Sequence, residues 1–96
     1  MTAVLMTRTA VEDLDRLIVT LTLPPDTRER VKRSVGPLRE FPRLGAQLEG
    51  RWESFRFVLG PWRSMLLVYA YDEHADRVSV VTVQDARSGR SATSSS

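Results

Sequence analysis

The sequence predicts an α+β domain in which an N-terminal strand and a helical hairpin pack on a small, largely antiparallel sheet. Two observations lead to this prediction. Apolar residues follow helical spacing in the first half of the chain, and strand-like alternation replaces it from Arg51 onwards. The longest apolar run, Met65 to Tyr71, is apolar on both faces, which is typical of a central strand. The expected order of elements is β-α-α-β-β-β.

The first strand and the first helix are predicted from short local patterns. Residues 2–7 are mostly apolar and predict a strand. Thr9 and Glu12 have the spacing of a capping box, so we expect the first helix to begin there. Its apolar positions are Val11, Leu14, Leu17, Ile18 and Leu21. Pro24 and Pro25 are expected to end it, because neither ring supplies an amide hydrogen.

The second helix is expected to begin at Asp26, with Glu29 three residues later. Its apolar stripe continues to Phe41, although Gly36 and Pro37 interrupt it. We therefore expect a kink followed by a final helical turn rather than a clean stop.

Three strands are predicted in the second half of the chain. They cover residues 51–60, 62–72 and 77–85, and a polar hairpin loop joins the last two. In the first of them Trp52, Ser54, Arg56 and Val58 would share one face. Residues 1–87 are expected to form the domain, and the serine-rich segment 88–96 is expected to be disordered.

Length and composition are those of one domain. The chain has 96 residues, of which 42% are hydrophobic, and it has no cysteine, which excludes disulfides and thiolate metal sites. The N-terminal residues lack the pattern of a signal peptide, and no apolar run is long enough to cross a bilayer. We expect a cytoplasmic protein with no membrane contact, no metal and no cofactor.

Basic residues are concentrated in the middle of the chain. The formal net charge is only +2, but nine of the 14 basic residues lie between Arg28 and Arg63, where there are four acidic ones. Thirteen of the 14 are arginine, whose planar guanidinium matches phosphate geometry. This distribution indicates an anionic partner; the alternative is an arginine-rich set of solvated helix faces.

Several motifs occur in an order that carries a family resemblance. After the helical hairpin come L-x-x-F-P-x-L-G-x-x-L-E-G (residues 38–50), G-P-W-R (residues 60–63), the long apolar strand, and Q-D-A-R (residues 84–87). Over residues 3–90 the sequence resembles the RelE/ParE superfamily, the toxins of bacterial type II toxin–antitoxin systems. Each motif alone is weak, and their order and spacing carry the resemblance.

The resemblance implies two activities on one scaffold. RelE-like members enter the ribosome and cut mRNA, whereas ParE-like members poison DNA gyrase. In both cases a cognate antitoxin wraps the toxin, and a heterotetramer with the antitoxin is one expected assembly. The helices are short for the ParE type, so we favour a toxin that binds the ribosome and mRNA. The alternatives are a gyrase inhibitor and a degenerate member that acts only as a binding partner.

Three arginines of this sequence match the cationic site of the family. Arg63 matches the arginine of G-P-W-R, Arg56 the basic position on the preceding strand, and Arg87 the arginine after the last strand. By the resemblance these three are the expected catalytic residues, since preorganised cations can stabilise a phosphorane without a metal. Arg51 and Arg90 are expected to add nucleic-acid contacts. Strand alternation would place Arg63 on the face of Met65, Leu67 and Tyr69, at the sheet rim.

The sequence differs from the family at the positions that would supply a general acid or base for RNA cleavage. Ala86 stands where many members have a histidine, and no tyrosine follows Arg87. His74 is the only histidine and lies in the predicted hairpin loop. Asp85 could act as a base, but a carboxylate is unfavourable among phosphates. No clear general acid or base is present, so mRNA cleavage by this chain stays open.

Each candidate also has a purely structural interpretation. Arg56 and Arg63 could form ion pairs with Glu53 or Asp85, and Arg87 could simply end a strand. The tryptophans, Trp52 and Trp62, fit packing at the core or rim better than base stacking. His74 and its acidic neighbours fit a hydrated loop better than a metal site. The neighbours are Asp72, Glu73 and Asp76.

Overall fold

The computed structural model describes residues 2–62 and 64–86. Its strands and helices are β1 (Ala3–Met6), α1 (Arg8–Thr20), α2 (Thr27–Val35), β2 (Ala46–Gln47), β3 (Arg56–Leu59), β4 (Met65–Asp72) and β5 (Arg77–Asp85). Short 3₁₀ turns cover Gly36–Arg39 and Gly50–Trp52. The α+β prediction is confirmed, and β2 is an additional two-residue strand that the sequence did not predict.

The strands form one sheet in the order β1-β5-β4-β3-β2. β1 pairs with β5 in parallel, and every other pairing between these strands is antiparallel. β4 lies in the middle, which explains why it is apolar on both faces. The pairing of β4 with β5 shifts register between Val68 and Tyr69, where one extra residue of β5 is accommodated.

Both helices pack on one face of the sheet and enclose the core there. On this face β4 contributes Met65, Leu67 and Tyr69, and β5 contributes valines. The other buried residues of the cluster are Ala10, Leu14, Val31, Val35, Leu38, Val78, Val80 and Val83. Val68, which alternates to the opposite face of β4, is also fully buried. The prediction that β4 is a central strand is therefore confirmed.

The first helix begins two residues before the predicted capping box. Thr7 is the N-cap, and its Oγ1 accepts a hydrogen bond from the Ala10 amide at 3.2 Å. The Thr7 amide donates to the carbonyl oxygen of Val80, so this residue also ends the pairing of β1 with β5. The capping-box prediction at Thr9 was wrong because the helix starts directly where the strand leaves the sheet.

The first helix also ends without help from the two prolines. Thr20 is its last residue, and Thr22 then adopts a φ of 50°. The Leu23 amide donates to Ile18 O, and the Thr22 amide donates to Val19 O, which is the hydrogen-bond pattern of a Schellman motif. Pro24 therefore follows a helix that has already ended.

The second helix agrees with its predicted start and kink. Asp26 is the N-cap position, but its carboxylate accepts from Arg30 Nε at 2.9 Å instead of capping a backbone amide. The helix changes to a 3₁₀ turn at Gly36, with Pro37 in its first turn. The expected kink and final turn are confirmed.

Two strand starts were predicted too early. Residues 50–55 form successive tight turns, in which Trp52, Glu53 and Phe55 donate to carbonyls three residues back, so β3 begins only at Arg56. β4 begins at Met65 rather than Trp62, because the Met65 amide donates to Trp62 O and closes a turn there. Alternation of side chains predicted strands where the backbone forms turns.

The last hairpin agrees with the prediction. Asp72 Oδ1 accepts hydrogen bonds from the amides of His74 and Ala75, which organises the loop between β4 and β5. β5 has the predicted bounds. The expectation of a disordered tail over residues 88–96 lies outside the described residues. In the part of the chain that is described, no helix is long and apolar enough to cross a membrane.

Candidate nucleic-acid interface

Two of the five arginines predicted to contact nucleic acid are described, and they are Arg51 and Arg56. Arg63, Arg87 and Arg90 lie outside the described residues, so their roles remain predictions.

The described neighbours of Arg63 and Arg87 meet at one end of the sheet. Ser64 O accepts a hydrogen bond from the Ala86 amide at 2.6 Å, and Met65 pairs with Asp85. The Gly60 amide donates to Met65 O at 2.9 Å, which closes the turn between β3 and β4. This turn is therefore joined to the end of β5, and a residue next to Arg63 is hydrogen bonded to the residue before Arg87.

A cavity of about 400 Å³ lies beside this junction, between the end of α1 and the start of β4. We call it the Trp62 cavity, and its lining residues are Leu17, Leu21, Leu23, Trp62, Ser64, Met65 and Asp85. Most of the lining residues are apolar, and Asp85 is the acidic residue among them. An apolar cavity with a few polar groups is the usual form of a ligand site.

Arg56 lies at the other end of β3, about 10 Å along the strand from Leu59. It pairs with Tyr69 and therefore shares the face of the sheet on which the helices pack. Its Nη1 donates to Gly45 O at 2.9 Å and to Arg43 O at 3.4 Å. The side chain thus holds a loop through carbonyl oxygens, and not through the carboxylates that the structural interpretation suggested.

The same loop is held by a tyrosine that the sequence did not single out. The Tyr69 hydroxyl donates to Pro42 O at 2.8 Å and accepts from the Gly45 amide at 2.9 Å. Burial raises the pKa of Tyr69 from its ordinary value of 10.0, and the Gly45 hydrogen bond and the Arg56 charge oppose the rise. Pro42 and Gly45 belong to the F-P-x-L-G motif, which was the available signal for this contact.

A second polar group lies next to this loop. Arg43 forms an ion pair with Glu73, and its Cζ lies 5.0 Å from the centroid of the Tyr71 ring. Together with Ser54 and Arg56 these residues line a cavity of about 200 Å³. Exposed ion pairs contribute little to stability, so the pair of Arg43 and Glu73 is not expected to stabilise the fold measurably.

The structural interpretation of the tryptophans agrees with the geometry. Trp52 contacts Phe55, with ring centroids 5.6 Å apart, and Trp62 packs against the hydrophobic core. Arg51 is exposed on the 3₁₀ turn beside Trp52. His74 lies in the hairpin loop, and among residues 2–62 and 64–86 no group of acidic residues, histidine or cysteine could hold a metal ion.

Comparison with solved structures identifies the fold. A chain of the RelBE2 toxin–antitoxin complex from Mycobacterium tuberculosis is 26% identical, with a TM-score of 0.65 over 88% of this chain and 90% of that one. The isolated RelE toxin of E. coli is 19% identical, with a TM-score of 0.65 over 90% of this chain and 85% of that one. A chain of the chromosomal ParDE system of P. aeruginosa is 15% identical, with a TM-score of 0.67 over 88% and 96%. No protein-family model and no curated protein sequence matches the chain.

A helical hairpin on one face of a five-stranded, mostly antiparallel sheet, with this order of strands, is thus the architecture of the RelE/ParE-type toxins. The chain thus has the fold of the RelE/ParE-type toxins, and the resemblance to the RelE/ParE superfamily predicted from its motifs is confirmed.

Proposed function

We propose that this protein is the toxin of a type II toxin–antitoxin system and that it inhibits translation by binding RNA on the ribosome. The similar solved structures include toxin–antitoxin complexes, which supports the toxin role. The choice of translation over gyrase is supported by the short helical hairpin, in which α1 has 13 residues and α2 has nine.

One observation carries the placement of the site, namely the hydrogen bond between Ser64 O and the Ala86 amide. It supports a single anion-binding region to which Arg63 and Arg87 contribute, because their sequence neighbours are in contact. Two guanidinium groups would bind one phosphate through charge-assisted hydrogen bonds. We propose Arg51, Arg56 and Arg90 as further phosphate contacts.

Metal-independent cleavage of RNA would require more of this site than RNA binding does. Arginines could stabilise the charge that develops on the phosphorane, which is usually the largest catalytic contribution. His74 is in the hairpin loop at the opposite end of β4 from Ser64, so it is poorly placed to move a proton there. We therefore propose RNA binding as the basis of inhibition, and we assign no general base.

The antitoxin surface is proposed to lie along β1 and the helical hairpin. β1 is an edge strand, Leu5 is 50% exposed, and a cavity of about 470 Å³ lies beside it. Lys32 and Arg39 are among its lining residues. An extended apolar segment flanked by acidic residues would fit this edge, since it would bury apolar area and pair with both cations.

Expression without the partner tests the toxin role. We expect growth arrest on induction of the chain alone and normal growth when the neighbouring antitoxin gene is co-expressed. Pulse labelling should show an early fall in methionine incorporation before any fall in thymidine incorporation.

Two outcomes would redirect the proposal. DNA breaks and an SOS response before the fall in protein synthesis would identify gyrase as the target. Normal growth at confirmed soluble expression would indicate a degenerate member that retains only partner binding.

A further inference from the structure

Arg56 is a partly buried cation without a carboxylate partner among the described residues. It lines a cavity of about 200 Å³ together with Arg43, Ser54, Tyr71 and Glu73, which we call the Arg56 cavity. We propose that Arg43 and Arg56 together bind one phosphate group in this cavity, and that Glu73 competes with the phosphate for Arg43. The use of this site for an RNA backbone rests on the proposed function, whereas the binding of phosphate does not.

Arg56 retains both charge and donors for an anion. Its hydrogen bonds within the described part of the chain go to the carbonyl oxygens of Gly45 and Arg43, and both start from Nη1. Nε and Nη2 therefore keep their N–H groups for a ligand. A partly buried charge costs free energy unless an opposite charge compensates for it. An anion bound in the Arg56 cavity would supply that compensation.

Arg43 is the second cation of the cavity, and two contacts hold it there. Its guanidinium forms an ion pair with Glu73, and its Cζ lies 5.0 Å from the centroid of the Tyr71 ring. The ring contact stabilises a cation at this place whether or not Glu73 is bound. The backbone of Arg43 is also fixed, because Arg56 donates to its carbonyl oxygen. The two guanidinium groups are therefore positioned before a ligand binds, which lowers the cost of binding.

Glu73 is the carboxylate that lines the cavity, and phosphate would replace it on Arg43. The side chains of Arg43 and Glu73 are 54% and 65% exposed, and such ion pairs are weak. A phosphate group has acceptor oxygens for both guanidinium groups and for the Ser54 hydroxyl. Glu73 would then turn towards solvent, since its charge would otherwise repel the phosphate. Glu73 therefore lowers the affinity of the empty cavity for phosphate.

The size of the cavity and its two cations favour phosphate as the ligand. Its volume of about 200 Å³ is below the range of about 300–1,000 Å³ that is usual for small-molecule pockets, so it suits one phosphate group rather than a whole nucleotide. The main rival is a carboxylate of a protein partner. Such a carboxylate would repeat the contact that Glu73 already makes with Arg43, whereas a tetrahedral phosphate can bind both arginines at once.

Arginine NMR signals of the full chain test the proposal. The Nε–H signals of Arg43 and Arg56 are followed while inorganic phosphate is added at constant ionic strength, with chloride as the balancing anion. We expect both signals to shift along one binding curve. Arg43→Ala should weaken the binding of phosphate at Arg56 by about fivefold or more. Arg33→Ala, which removes an exposed arginine of α2, should leave it unchanged.

Glu73→Gln tests the competition. It removes the negative charge from the cavity, so phosphate should bind about threefold more tightly. Glu29→Gln changes the net charge equally at an exposed position of α2, and it should bind phosphate as the unmodified chain does. Equal affinities of Glu73→Gln and the unmodified chain would overturn the competition, and an Arg56 signal that does not respond to phosphate would overturn the site.

Pentaadenylate without a terminal phosphate distinguishes an RNA backbone from free phosphate as the ligand. If it shifts the same two signals and inorganic phosphate displaces it, the cavity binds a backbone phosphate. Binding of the RNA with no shift of either signal would overturn the use of this cavity for RNA and leave the proposed function intact. A chain that binds phosphate here but no RNA would support the phosphate site and overturn the proposed function. Shifts with an acidic antitoxin peptide but not with phosphate would make the cavity a carboxylate site and overturn the proposal.

Discussion

The Gly45 amide donates a hydrogen bond to the Tyr69 hydroxyl at 2.9 Å, and this contact joins a surface loop to the central strand. The same hydroxyl donates to Pro42 O, and Arg56 donates to Gly45 O. The Tyr69 hydroxyl therefore both accepts and donates a hydrogen bond, as a buried polar group requires. The close approach of Gly45 to Tyr69 gives a physical reason for the glycine in F-P-x-L-G.

Gly45→Ala should destabilise the protein. A Cβ at this position would lie 2.5 Å from Phe57 O and 2.8 Å from Tyr69 Cε1, so the loop would have to leave the strand. We expect a loss of about 1–3 kcal/mol in the free energy of unfolding, measured by urea denaturation. Gly36→Ala is the matched control, because nothing lies within 4 Å of its Cβ and its backbone is helical. It should be neutral or slightly stabilising, and equal losses in both variants would contradict the close-contact explanation.

Stability should fall at alkaline pH because of Tyr69. Its pKa is raised in the folded state, so the unfolded chain loses this proton more readily. The stabilisation is fully present below the unfolded pKa of about 10 and is lost as pH rises through the folded pKa.

Thermal unfolding of Tyr69→Phe between pH 8 and pH 11 measures this contribution. We expect lower stability at neutral pH, since Pro42 O and the Gly45 amide lose a partner, and a shallower decline above pH 10. Tyr71→Phe is the control and should retain the decline of the unmodified chain. An unchanged decline in Tyr69→Phe would show that another group causes it.

Thr22→Gly should stabilise the protein. A β-branched residue at a φ of 50° is strained, whereas glycine adopts this conformation without cost, and the Schellman motif favours glycine there. We expect a gain of about 1 kcal/mol in the free energy of unfolding. Thr20→Gly, the same change inside α1, should be destabilising. A loss of stability in Thr22→Gly would mean that the threonine side chain supports the turn in another way.

Arg56→Ala should lower stability as well as RNA affinity, whereas Arg51→Ala should lower only RNA affinity. Arg56 bonds the carbonyl oxygens of the loop, and Arg51 is exposed on a turn. Urea denaturation and RNA titration of both variants separate the two effects. If Arg56→Ala is as stable as the unmodified chain, its carbonyl bonds contribute nothing measurable to the fold.

Most of the fold could be predicted from the sequence because its strongest signals are local. The period of apolar residues identified both helices and β5, and the two-sided apolar run identified β4 as central. The errors lie at element boundaries. Thr7 caps α1 because it also binds Val80, and such a distant contact leaves no trace in the local pattern.

Less of the candidate site could be predicted. Motif order identified the arginines, but only the folded chain shows that the residues beside Arg63 and Arg87 are hydrogen bonded. The role of Tyr69 was missed because an apolar run suggests packing and gives no sign of the loop that lies across it. Asp85 was considered only as a base. Its position beside an apolar cavity could not be predicted, because residues from distant parts of the chain, such as Leu17 and Met65, line that cavity with it.

The most direct test of the central claim is inhibition of translation in a cell-free extract by the purified chain and by Arg63→Ala. We expect the unmodified chain to inhibit and Arg63→Ala to need at least tenfold more protein, because a charge-assisted phosphate contact contributes on the order of 1.5–3 kcal/mol. Arg63→Lys should be intermediate, and Arg77→Ala, an exposed arginine on β5, should inhibit normally. A folded Arg63→Ala protein with full inhibition, or an unmodified chain that leaves translation intact, would contradict the account.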